Sequence, residues 1–101
     1  MFTHIVWWTF KPEAQGRTGE ENANLIRERL LALKERIEAL KDISVSTQIQ
    51  EGSTEAAQLV LVTRHDDASG FAAYASHPKH QLVLALLNQC TDSRKTLDFT
   101  E

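Results

Sequence analysis

The stretch FTHIVWWTF, Phe2 to Phe10, constrains the fold more than any other part of the chain. It is dense in β-branched and aromatic residues, so it reads as a strand, and Lys11-Pro12 ends it. Alternation puts Phe2, His4, Val6, Trp8 and Phe10 on one face and Thr3, Ile5, Trp7 and Thr9 on the other. Both faces carry large apolar groups, so both must be covered. A chain of 101 residues allows one domain, residues 1–101, with a small core. Helices from the same chain cover one face; a second copy is the expected cover for the other.

The remaining elements fit that requirement. Thr18-Gly19-Glu20-Glu21 is a capping box, and Ile26, Leu30, Leu33, Ile37 and Leu40 then form one apolar stripe on a helix of about six turns. Ile43 to Ile49 alternates strictly and predicts a half-buried strand. Gln58 to His65 is a near-continuous apolar run and predicts a more central strand. Asp66 is the expected N-cap of a second helix, with Phe71, Ala72 and Ala75 facing inward. His77 is biased away from helical angles by Pro78, which suits the first position of a new helix with Leu82, Val83 and Leu86 on its apolar side. Arg94 to Thr100 is a last alternating strand. The order β-α-β-β-α-β predicts an α+β, ferredoxin-like sandwich: a four-stranded antiparallel sheet with helices on one face. The uncovered face is expected to carry Ile5, Trp7, Ile43, Val45, Ile49, Leu59, Leu61, Leu97 and Phe99. That patch is too large for a monomer and predicts a homodimer packed sheet to sheet.

Charge and composition exclude several classes. The net charge is −3, and the basic residues Arg27, Arg29, Lys34, Arg36 and Lys41 are interleaved with Glu28, Glu35 and Glu38. That is a solvated helix face, and neither nucleic acid nor a membrane surface is expected as a partner. No apolar run approaches the roughly 20 residues of a membrane span, and no basic leader or small-residue cleavage site opens the chain. The single cysteine, Cys90, forms no intrachain disulfide and is expected as a buried thiol. A reducing cytoplasmic setting is the default.

The helix-facing side of the sheet is expected to gather His4, Val6, Trp8, Gln58, Val60, Val62, Arg94 and Thr96, with Ser44 and Ser46. That set is more polar than a plain core requires, which points to a hydrated or ligand-filled pocket. The alternative is that Ser44, Ser46 and Arg94 lie near strand ends and reach solvent. His80 is the third residue of the helix that Pro78 starts. The positive helix end biases its ring to the neutral form, suited to act as a base or a hydrogen-bond partner. Tyr74 stands across the break, and His4 can reach the same space. The alternative for His77 and His80 is a capping or solvated ring. A metal site of His4, His77 and His80 lacks a placed carboxylate, and the break spoils its geometry, so no metal is expected.

HIVWWTFKPE at the start, YASHPKH in the second helical region and LDF at the end resemble the stress-responsive α/β-barrel (Dabb) family of dimeric α/β barrels. The resemblance implies a dimer whose two sheets form a barrel. A plant member closes a linear polyketide by aldol condensation without a cofactor, through a motif similar to Tyr74-x-x-His77-Pro78-x-His80. By that likeness His80 is the general base, Tyr74 the hydroxyl that steadies the substrate, and His4 a pocket histidine. Val6, Trp8, Gln58, Val60, Arg94 and His77 would then contact a small apolar or aromatic ligand, with no cofactor. Gln58 and Ser44 stand where that member has a histidine and a tyrosine. Trp8 is bulkier than its counterpart, which implies a shorter cavity and a different substrate. The alternative is a non-catalytic dimeric stress or binding protein with a closed or ligand-holding pocket.

Overall fold

The computed structural model describes all residues from Met1 to Glu101. Strand β1 runs over Phe2–Phe10. A miniature hairpin follows, β2 Glu13–Ala14 and β3 Arg17–Thr18. Its two turn residues, Gln15 and Gly16, have φ of 55° and 74°. That is the conformation of tight two-residue hairpin loops.

Helix α1 spans Gly19–Leu31 and opens on the expected capping box. The Thr18 hydroxyl accepts from the Glu21 amide at 3.1 Å, and the Glu21 carboxylate accepts from the Thr18 amide at 2.9 Å. A Cβ on Gly19 would lie 2.7 Å from the Lys11 carbonyl, so only glycine lets the helix start this close to the end of β1. The helix is shorter than the six turns expected. It tightens into a 3-10 segment, Ala32–Glu35, and then unwinds. Leu33, Ile37 and Leu40 are nevertheless buried. A periodic apolar stripe records which side chains enter the core, and a tightened turn followed by loop can meet that demand as well as α-helix.

Strand β4 is Asp42–Ser46 and β5 is Leu59–His65. Helix α2 is Ala68–Ser76, with Asp67, one residue later than expected, accepting from the Gly70 amide at 2.8 Å as its N-cap. Tyr74, not Ala72, faces inward: Tyr74 is fully buried and Ala72 is exposed. Helix α3 is Pro78–Cys90, with Pro78 in its first turn. Its buried residues are Val83, Leu87 and Cys90, whereas Leu82, expected inside, is 74% exposed. Strand β6 is Thr91–Thr100.

The main sheet has the order β4-β5-β1-β6 and every pairing in it is antiparallel. This is the α+β, ferredoxin-like arrangement, with the helices on one face. The core lies between that face and the helices and is built from Val6, Trp8 and Phe10 of β1, Ile26 and Leu30 of α1, Leu59 and Leu61 of β5, and Val83 and Leu87 of α3.

Register overturns one expectation. Leu59 pairs with Trp8 and Leu61 with Val6, so the odd-numbered residues of β5 face the helices. Val45 pairs with Leu61 and joins them. Leu59, Leu61 and Val45 are core, not part of the uncovered face. Val60, Val62, Ser44 and Ser46 point the other way, across from or beside Trp7 and Ile5. The uncovered face therefore carries Ile5, Trp7, Val60, Val62, Leu97 and Phe99, interrupted by Ser44, Ser46 and Lys95.

Candidate active site

The site is built at the corner between α2 and α3. A helix leaves the carbonyls of its last turn without internal donors. Pro78 has no N–H and begins a new helix, so α2 ends with such orphans. His77 bridges the corner in an extended conformation, φ −62° and ψ 134°, as the last cap of α2 and the first of α3. Its Nδ1 accepts from the Lys79 amide at 3.1 Å. The orphan carbonyl of Ala75 is met from the far side of the break: His80 Nδ1 lies 2.9 Å from it and Gln81 Nε2 2.6 Å.

That contact fixes the chemistry of His80. A carbonyl only accepts, so Nδ1 carries the proton and a neutral ring has its lone pair on Nε2. Burial pushes the His80 pKa below its ordinary 6.5, with His4, Arg94 and His77 adding to the depression and the Ala75 carbonyl opposing it. His80 is thus a neutral imidazole with an unengaged basic nitrogen. The helix start favours the same neutral form, as the sequence suggested; the largest cause is burial.

Tyr74 lies against it, the ring centroids 4.4 Å apart and tilted by 44°. The tyrosine is fully buried, and its hydroxyl finds no hydrogen-bond partner in the chain. Burial pushes the phenol pKa upward, so the group stays protonated: a buried donor without an acceptor. His4, buried in β1, is held through Nδ1 by Asp98 Oδ1 at 2.5 Å, and its ring lies 4.8 Å from that of Phe71.

These groups converge on a cavity of about 190 Å³ between sheet and helices. Of the residues expected at a site, His4, Val6, Trp8, Tyr74, His80 and Arg94 line it, with Leu30, Leu61, Phe71, Ala75, Gln81, Leu84 and Leu87. Three expected residues do not. Val60 is opposite Trp7 on the uncovered face because the phase of β5 is one residue from that expected. Gln58 is drawn to the end of β1, its Oε1 accepting from the Phe10 amide at 2.6 Å, and it faces a separate groove. His77 caps α3 and faces a third groove with Arg36, Lys41, Asp66 and Asp67. Those two grooves are larger, about 330 and 600 Å³, but their walls are mostly polar or charged and neither gathers buried polar groups. An apolar cavity with a few convergent polar groups is the better ligand site. No three His, Cys, Asp or Glu side chains stand close enough to share a metal.

A family model described as the stress responsive A/B barrel domain, Dabb, matches residues 2–101. The chain belongs to the Dabb family. No curated protein matches it. Among solved structures, this Dabb chain is similar to a dimeric protein of unknown function and ferredoxin-like fold from Bacteroides fragilis, with a TM-score of 0.83, 23% identity, and 97% of this chain and 93% of that one covered. It is also similar to hydroxynitrile lyase from Passiflora edulis, at a TM-score of 0.80 and 11% identity over 97% of this chain and 90% of that one. SnoaB, a cofactor-independent oxygenase from Streptomyces nogalater, follows at 0.73 and 13%, covering 99% and 91%. At these identities the likeness establishes the shared fold and nothing further. No helix of the Dabb chain is long and apolar enough to cross a membrane.

Sequence reasoning missed Asp98, the partner of His4. The signal was present: Asp98 has the same strand parity as Arg94 and Thr96, which were placed on the helix face. Leu61 and Gln81 were also missed, the first through the phase of β5 and the second because its partner is a carbonyl that only the break exposes.

Proposed function

We propose that the cavity is the active site of a cofactor-independent enzyme of cyclase or lyase type, which moves a proton on a small apolar or aromatic carbonyl compound. His80 Nε2 removes a proton next to the carbonyl. The Tyr74 hydroxyl donates to the oxygen that gains negative charge. The enolate attacks a second carbonyl of the same molecule, or in the reverse sense is released from it. The protonated His80 gives its proton to the alkoxide that forms, or to the enolate carbon where no bond is made. His4, oriented by Asp98, lines the same space and positions the substrate. The observation that carries this reading is the buried Tyr74 hydroxyl, which has no acceptor in the chain and stands beside a neutral histidine with a free nitrogen. A donor aimed where charge develops is among the strongest catalytic devices available to a protein. Incubating the protein in heavy water with a panel of small ketones tests it: deuterium enters the α-position with the wild type and not with His80→Ala. Equal exchange by the two would overturn the reading.

A second reading, a non-catalytic binding protein, is favoured by the modest cavity of about 190 Å³. Ligand binding without exchange would select it.

The assembly we propose is a homodimer packed through the uncovered sheet faces. Leu97 is 55% and Phe99 39% exposed on that face, and Ile5, Trp7, Val60 and Val62 adjoin them. The similar proteins of Bacteroides fragilis and Thermobifida fusca are dimeric. Trp7→Glu is expected to give monomer or insoluble protein by light scattering; a soluble dimer would contradict the packing. The buried, unpaired thiol of Cys90 suits a cytoplasmic setting.

A further inference from the structure

Arg94 is the one permanently charged side chain that lines the cavity. It stands on β6 directly across from Trp8, whose side chain is part of the cavity wall. Arg94 is exposed, and neither the Lys95–Glu55 ion pair nor the His4–Asp98 contact involves it. Neither carboxylate of its strand is bonded to it: Asp92 accepts from the Thr9 hydroxyl and Asp98 is held by His4. A mostly apolar cavity thus has a free guanidinium at its solvent side and a hydroxyl donor without an acceptor at its buried side.

We propose that the cavity selects small aromatic or apolar monocarboxylates, with Arg94 binding the carboxylate and the buried Tyr74 hydroxyl meeting a second, carbonyl or phenolic, oxygen. The proposal rests on reading the cavity as a ligand site and names the class of ligand. The planar fork of an arginine matches a carboxylate with two parallel hydrogen bonds. A single guanidinium, with no lysine in the lining, suits one negative charge better than the two of a phosphate monoester. The volume of about 190 Å³ sets the size, equal to about six water molecules at roughly 30 Å³ each in the liquid. One substituted benzene ring fills such a space against Trp8, Phe71 and Leu87.

The test uses three probes, 4-hydroxybenzoate, 4-hydroxybenzamide and benzoate, with the intact protein. Affinity is measured by calorimetry, and location by the proton resonances of the His80 ring. 4-Hydroxybenzoate is expected to bind at least tenfold more tightly than the amide, to shift the His80 signals, and to weaken as salt is raised. Arg94→Gln is expected to remove the tenfold preference while leaving the affinity for the amide unchanged. Tyr74→Phe is expected to bring 4-hydroxybenzoate down to the level of benzoate. Equal affinity for acid and amide in the wild type, or a preference that survives Arg94→Gln, would overturn the proposal and leave Arg94 as a solvated side chain. Binding is read without turnover, so the two readings fail separately. Acid selectivity without deuterium exchange removes the enzyme and keeps the carboxylate site. Deuterium exchange together with equal affinity for acid and amide removes the carboxylate site and keeps the enzyme.

Discussion

His65 and His80 are two partly or fully buried histidines packed against Tyr74, at ring-centroid distances of 5.0 and 4.4 Å. Each has Nδ1 within hydrogen-bond reach of a backbone carbonyl, Ala39 at 2.8 Å for His65 and Ala75 at 2.9 Å for His80. Burial lowers the pKa of both. They differ at the other nitrogen. His65 Nε2 is 2.9 Å from the Thr63 hydroxyl, whereas His80 Nε2 has no partner in the chain and its ring borders the cavity. A neutral buried imidazole is therefore not in itself a catalytic sign. The free lone pair separates a histidine that ties elements together from one that can take a proton.

The largest expected difference is in rate. His80→Ala should lower deuterium exchange by about 10²- to 10⁴-fold, the usual contribution of a positioned general base. The urea midpoint should hardly move. If His65→Leu lowers exchange as much, the distinction between the two rings collapses. Tyr74→Phe comes next, with a rate loss of about 10²-fold for one lost donor to a developing oxyanion. Its stability should be unchanged or slightly higher, because the deleted hydroxyl had no partner to lose. A substantial loss of stability on denaturation would show that the hydroxyl is satisfied in solution and would weaken its catalytic role.

His65→Leu should destabilise the fold by about 2–3 kcal/mol in urea titration, since the Ala39 carbonyl and the Thr63 hydroxyl are left without their partner. The smallest effect is on pH dependence. Both folded rings titrate below the ordinary 6.5, so the unfolded chain binds more protons than the folded one as pH falls beneath that value. The stability these rings contribute is complete above pH 6.5 and is lost as pH drops toward their folded pKa values, by at most about 1.4 kcal/mol per pH unit for each ring. His65→Leu and His80→Ala should each flatten that fall. The rising limb of the exchange rate should also lie below pH 6.5. A limb at or above neutrality would mean that His80 is not the base.

Much of this architecture was legible in the residues. Phe2–Phe10, the Thr18 capping box and the helix restart at Pro78 are local patterns with one reading each, and the structure has all three. The phase of β4 and β5 was not legible. Ile43-Ser-Val-Ser46 alternates without ambiguity, but alternation says only that the faces differ, never which one meets the helices. Leu59–Val62 is apolar on both sides and so carries no phase signal. Only pairing with β1 decides it, through contacts distant in sequence. For the same reason Val60 was assigned to the cavity and Leu61 was not. His77 and His80 were separable in part: the residue before a proline is held extended, which suits a cap. The hydrogen bond that sets the His80 tautomer depends on a carbonyl freed by the break, and no spacing rule predicts it.

The alternation of β1 also bears on how such a chain can change over generations. His4, Val6 and Trp8 look into the cavity, while Thr3, Ile5 and Trp7 look away from it. One strand thus holds two interleaved hereditary records. Substitutions at even positions can retune what the cavity accepts while the odd positions keep the opposite surface intact. A lineage built on this sheet can change its cavity lining without disturbing the uncovered face, and neighbouring positions in the same strand can drift at different rates.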